Sequence, residues 1–217
     1  MTTTLVPPQP TTAPPPTPAP PTRLSLIVLA TVVLVGYLAL FASGTDLHYD
    51  ARLGEVRDAY DVSEGVSQLS AYLAMAFVAL LLFFGSALRH ALRVRRGTWL
   101  ADVPFLGFAA LAATIASWAI LDLATWKAVE LGDESAIRTL VTLNDAGFLP
   151  LMAAMVAIYL GSGLVGLSTG ALPRWLAITS VVVGLLAPMG PLGFVGALLL
   201  PLWALAVAIC VRLDVAQ

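Results

Sequence analysis

Six apolar stretches, each near the length of a bilayer-crossing helix, dominate this 217-residue chain. They cover residues 25–44, 68–88, 105–126, 147–168, 174–189 and 192–211. A hydrocarbon core of about 30 Å needs about 20 helical residues, because each one advances the helix by about 1.5 Å. Backbone groups in lipid find no water to bond, so such segments fold as helices that satisfy their own N–H and C=O groups. The expected fold is all-α, a polytopic transmembrane bundle of six spans over 24–212. The fifth stretch is short, and "APMGPLG" parts it from the sixth, with Pro188, Gly190, Pro191 and Gly193 forcing a reversal. Without that turn, 174–211 becomes one kinked helix and the bundle has five spans.

Composition agrees with a lipid-facing surface. The chain is 59% hydrophobic and 11% charged, with a mean hydropathy of +0.91. Soluble domains carry about 25% charged residues, since their surfaces must face water. A formal charge of −2 is too small to point to an acidic or basic partner, and no nucleic-acid role is expected. The single cysteine, Cys210, excludes an intramolecular disulfide and lies in an apolar run, where a packed or lipid-facing thiol is the natural role.

Residues 1–23 are a different material, with nine of the fifteen prolines interleaved with Thr and Ala. Such a segment buries no core and samples extended conformations. It reads as a disordered cytoplasmic tail, although its P-x-x-P frames would suit a proline-reading domain. The stretch 25–44 also ends in Ala42-Ser43-Gly44, like a signal-peptide cleavage site. Its apolar part is longer than a signal peptide's and the proline-rich leader is foreign to one, so a retained anchor is expected.

Charges between the stretches set the expected orientation. If six helices run up and down, Arg23, Arg89, Arg93, Arg95, Arg96, Arg174 and Arg212 fall on one side. The other side holds Arg52, Arg57, Lys127 and Arg138 with ten carboxylates. The positive-inside rule then places both termini in the cytoplasm of a bacterial plasma membrane. Arg89, Arg93, Arg95, Arg96 and Arg174 read as headgroup anchors. Trp99, Trp126 and Trp175 sit near expected span ends, where indoles prefer the headgroup zone.

One motif invites a cofactor. Gly161, Gly163 and Gly166 match G-x-G-x-x-G, the dinucleotide fingerprint. That fingerprint works as a turn between a strand and a helix, followed by an acidic residue about 20 positions on. Here the glycines lie inside an apolar run with neither feature, so no cofactor is expected. Glycines in membrane helices let neighbours approach closely, and Gly161, Gly163, Gly166 and Gly170 are expected to serve helix packing. Ser162 in the same run resembles an intramembrane serine nucleophile, but no histidine follows it in a later span to activate it.

Other chemistry is sparse. His48 and His90 both lie outside the expected spans, which leaves a membrane haem without ligands. "DLHYD" sets Asp46, His48 and Asp50 at alternate positions, a pattern read as solvated loop rather than metal site. The acidic extracytoplasmic loop 45–67 carries Leu53, Val56 and Tyr60 at helical spacing, expected as a short amphipathic helix capping the bundle. Asp122 stands out, because a carboxylate within a span is by default a functional candidate. Asn144 and Asp145, at the mouth of the fourth span, are its expected polar neighbours, and Lys127 lies close in sequence.

"TLNDAGFLPLM", "LSTGALPRWLAITSVVVGLL" and "LLPLWALAVAICVRL", within residues 140–212, resemble the second half of uncharacterised multi-pass membrane proteins of actinobacteria. The resemblance implies a membrane address and a helical fold, and no activity. Two roles remain in play: a non-enzymatic accessory, scaffold or regulatory subunit, contacting membrane lipids and other subunits or itself, and a small ion- or proton-coupled carrier built on Asp122. No nucleophile with a base and no paired intramembrane carboxylates support a catalytic role.

Overall fold

The computed structural model describes residues 22–43, 50–93 and 99–213, without the side chains of 41–43. Among these residues the chain is helical throughout and contains no strand. The elements are α1 (Arg23–Ser43), α2 (Leu53–Ala59), α3 (Glu64–Arg93), a 3-10 turn at Trp99–Ala101, α4 (Asp102–Leu131), α5 (Glu134–Ala146), α6 (Phe148–Thr169), α7 (Arg174–Leu186) and α8 (Pro191–Cys210). Five segments are long and apolar enough to cross a membrane: α1, α3, α4, the α5–α6 run and α8. α7, with 13 residues, is shorter than the stretch 174–189 from which a span was expected. The expected tail falls outside the described residues, apart from Thr22 and Arg23.

The long helices close a ring: α1 packs on α3, α3 on α4, α4 on α6, α6 on α8 and α8 on α1. α7 lies beside α6 and also touches α8. Small residues set these distances. A Cβ at Gly107 would meet Ile158 N at 2.8 Å, and one at Gly85 would meet Phe108 Cβ at 2.8 Å, so α4 lies close against both neighbours. Phe84 and Phe108 meet edge to face at 5.3 Å in the centre of the core.

α7 and α8 form a hairpin rather than one kinked helix. The reversal at residues 187–190 uses Gly190, whose φ of 57° is a backbone state that glycine adopts without strain. The hairpin runs nearly the length of α6. At one end Arg212 N donates to Ala171 O (3.0 Å), and at the other Gly193 lies against Ala187 O and Met152 Sδ. The short α7 and its turn therefore return to the depth of α6's first turns.

α8 carries Pro201 in its interior. Proline has no N–H, so the bond that residue 201 would give to the carbonyl of Ala197 is missing. Tyr37 of α1 fills the place, its hydroxyl donating to Ala197 O at 2.9 Å. Tyr159 of α6 donates to the preceding carbonyl, Gly196 O, at 2.7 Å. Its ring lies 4.9 Å from Trp203, whose indole N–H donates to Ser180 Oγ of α7 at 2.8 Å. Side chains from three helices thus repair or brace α8 where it is weakest, as helix breaks in lipid require.

Arginines gather at one end of the bundle. Arg23 donates to Ile209 O, which ties the start of α1 to the end of α8. Arg89 and Arg93 both bond Asp102, each at 2.6 Å, and the Arg89 guanidinium lies 5.3 Å from the Phe105 ring centre. Arg174 is exposed, whereas Arg95 and Arg96 lie outside the described residues. One carboxylate thus holds both Arg89 and Arg93, expected as headgroup anchors, while their side chains stay partly exposed.

Candidate functional site

The opposite end is capped by two helices. α2 begins where Glu55 accepts from the backbone N–H of Arg52 (3.0 Å) and from its guanidinium (2.9 Å), bonds that hold the Glu55 carboxyl below its ordinary pKa. Val56 and Tyr60, one turn apart, are buried, and Leu53 packs beside them, as the spacing predicts. α5 begins at Asp133, whose side chain accepts from Ala136 N at 3.0 Å. Its Ile137 and Val141 are buried against the same cluster, with Trp126 and Ala128 of α4 as the floor. This satellite core is separate from the main one. Trp126 also donates to Val62 O (3.0 Å), which pins the link between α2 and α3.

Asp122 sits where the cap meets the bundle. Tyr60 donates its hydroxyl to Asp122 Oδ1 at 2.9 Å, and Asn144 donates its amide to the same oxygen at 3.3 Å. Trp118, one turn earlier on α4, donates to Asn144 O at 3.2 Å. That indole fits only because residue 147 is glycine, since any Cβ there would collide with its nitrogen. The four side chains link the end of α2 with α4 and α5, with 62 residues of sequence between Tyr60 and Asp122 and 22 more to Asn144. Among the described residues no cation joins them. Lys127, expected close to Asp122, instead bonds Glu130 at 2.5 Å and lies 5.5 Å from the Trp126 ring centre. It points along the outer surface, where water keeps an ion pair weak.

The structure thus joins Asp122 to Asn144 as expected and adds Tyr60. Asp145, half-buried, stands beside Asn144 but takes no part in the bonds to Asp122. α5 was missed from sequence, although Ile137, Leu140, Val141 and Asn144 fall at i, i+3, i+4 and i+7, a readable helical stripe.

The glycine run lies wholly within or at the end of α6. A Cβ on Gly163 would meet the α7 backbone, at 2.7 Å from Ala177 O and 2.8 Å from Val181 N. Gly184 of α7 answers it, lying 2.6 Å by the same measure from Leu160 N. Gly166 faces Ala177 and Leu172, and Gly161 faces Val103 and Pro104 of α4. These three pack helices. Gly170 ends α6, its φ of 69° being the left-handed conformation of a helix C-cap. Ser162, between the packing glycines, is fully buried, and its hydroxyl has no hydrogen-bond partner among the described residues.

Asp46 and His48 lie outside the described residues, and Asp50 is exposed. Among the described residues no group of three His, Cys, Asp or Glu side chains is placed to hold a metal. Between the end of α2, the start of α3 and the end of α4 lies an open cleft of about 530 Å³, bordered by Arg57, Asp58, Asp61 and Glu64 with Tyr60 and Trp126. No family model, curated protein or solved structure matches the chain.

Proposed function

We propose that the chain is a six-span integral protein of a bacterial plasma membrane, serving as a non-enzymatic accessory or scaffold subunit of a membrane complex. One observation carries this choice over the carrier: the intramembrane carboxylate is engaged in building the fold. Both bonds to Asp122 come from side chains that seat the cap, Tyr60 and Asn144. A relay carboxylate needs a proton path or a cation partner, and Asp122 is bonded by neither Lys127 nor an arginine. Four further polar side chains within the bundle support the same role. Tyr37, Tyr159, Ser180 and Trp203 are engaged with α8 and α7.

In this proposal α7 with its turn makes the fifth crossing, the arginine-bearing end is cytoplasmic, and the proline-rich segment is a disordered tail there. Lipids surround the bundle, and α1, with exposed Val28, Val35 and Leu38, offers a face to other subunits or a second copy. The likeness to actinobacterial multi-pass proteins fits this role without adding to it. Blue-native electrophoresis of membranes in mild detergent, with the chain at its natural level, tests the proposal. An accessory subunit migrates in a discrete complex of fixed stoichiometry. Migration as a monomer alone contradicts it.

A further inference from the structure

The cleft beside the cap gathers charged and aromatic side chains on one rim of the bundle. Among the described residues Asp58 and Asp61 are exposed and carry no cationic partner, Glu64 accepts from Gln68 (3.0 Å) and feels the charge of Lys127, and Glu130 on the same border is held by Lys127. Arg57, on the same rim, is half exposed and touches Glu134 at a loose 3.3 Å. Tyr60 and Trp126 border the cleft, and Trp126 ends the apolar stretch 105–126, at the level where a bilayer's headgroups begin. Beneath the rim the surface turns apolar. Met75 lies on the Glu64 face of α3, eleven residues along, and is 38% exposed; Leu123 lies on the Glu130 face of α4, seven residues back, and is 36% exposed.

An acidic rim with one arginine, an aromatic border and an apolar seam below matches one kind of occupant. We infer that the cleft seats the headgroup of an ethanolamine phospholipid, its ammonium among Asp58, Asp61 and Glu64, its phosphate toward Arg57 and its chains along the seam of α3 and α4. A primary ammonium supplies three donors to carboxylates, and a guanidinium matches a phosphate. A headgroup without the ammonium keeps the contact with Arg57 but brings no positive charge to the three carboxylates. The site depends on the bundle lying in a membrane and not on the accessory role. A monomeric chain that retains this lipid overturns that role and leaves the site standing.

Native mass spectrometry of the full chain in mild detergent tests it, with phosphatidylethanolamine and phosphatidylglycerol of equal chain length added in equal amounts. The ethanolamine lipid should be retained about fivefold over the glycerol lipid, the scale of a few partly exposed charge contacts. Asp58→Asn, Asp61→Asn and Glu64→Gln together should erase that preference, with the melting temperature showing that the fold survives. Equal retention of both lipids by the natural chain overturns the site, whatever the variant does. So does an undiminished preference in a folded variant. Binding of tetralysine with no preference between the lipids also overturns it, and assigns the cleft to a basic peptide.

Discussion

Replacing Tyr37 with Phe keeps the ring and removes one hydrogen bond, the one given to Ala197 O at 2.9 Å. That carbonyl lacks its helical partner because residue 201 is proline. Membrane hydrogen bonds average about 0.6 kcal/mol and reach about 1.7 in double-mutant cycles, because the unfolded chain also finds partners in lipid. A carbonyl with no alternative donor belongs at the upper end, since leaving a buried acceptor bare costs about 1–3 kcal/mol. Tyr37→Phe should therefore lower stability by about 1–2 kcal/mol. Pro201→Ala restores an N–H four residues beyond Ala197, so the helix can supply the bond itself. In that background Tyr37→Phe should cost less than about 0.5 kcal/mol. Reversible unfolding in mixed micelles reads all four corners of the cycle. An equal loss in both backgrounds would refute the repair, and would assign the role of Tyr37 to something other than the proline gap.

Gly163→Ala should destabilise the α6–α7 pair far more than Gly54→Ala, because the first Cβ meets helix backbone at 2.7 Å and the second meets open space. Size-exclusion profiles in detergent separate the two, and a monodisperse Gly163→Ala protein with unchanged melting would contradict the tight contact. Tyr60→Phe should loosen the cap without disturbing the main core, exposing 50–60 to a protease while the transmembrane bundle resists. Equal protection of that segment in both proteins would show that the bond to Asp122 does not hold α2 down. With Cys210 changed to Ser, a cysteine at Met189 should react with an impermeant maleimide in intact cells, and one at the exposed Arg174 position only after permeabilisation. An unreactive Met189 beside a reactive Gly132→Cys would mean that α7 stops within the bilayer and that the chain crosses fewer times.

Much of the architecture was legible because lipid imposes simple rules. Apolar length located the long helices, and Gly161, Gly163 and Gly166 were readable as close-packing positions within one of them. Hydropathy misjudged the ends. α3 and α4 run to 30 residues each, about 45 Å, because their charged final turns stay helical while reading as loop. That Gly170 caps α6 was not legible, since spacing does not distinguish a helix residue from its cap. The hydrogen bonds that define the site lie further from view. Asp122 stood out alone as a charge in an apolar run, but Tyr60 is 62 residues away in chain order. A single sequence holds the packing of α2 only as three apolar positions, and it does not say what they pack against. Tyr37 and Pro201 are likewise joined only through the ring that α1 and α8 close.

The most direct test of the structural role of Asp122 is proton and cation flux into vesicles holding the purified chain, compared between the natural protein and Asp122→Asn. Asparagine keeps an acceptor for Tyr60 and Asn144 and cannot change its charge. A structural carboxylate predicts gradient-driven flux no greater than in empty vesicles for both proteins, with both folded. Flux in the natural protein that disappears in a folded Asp122→Asn variant would contradict this account and make the chain a carrier.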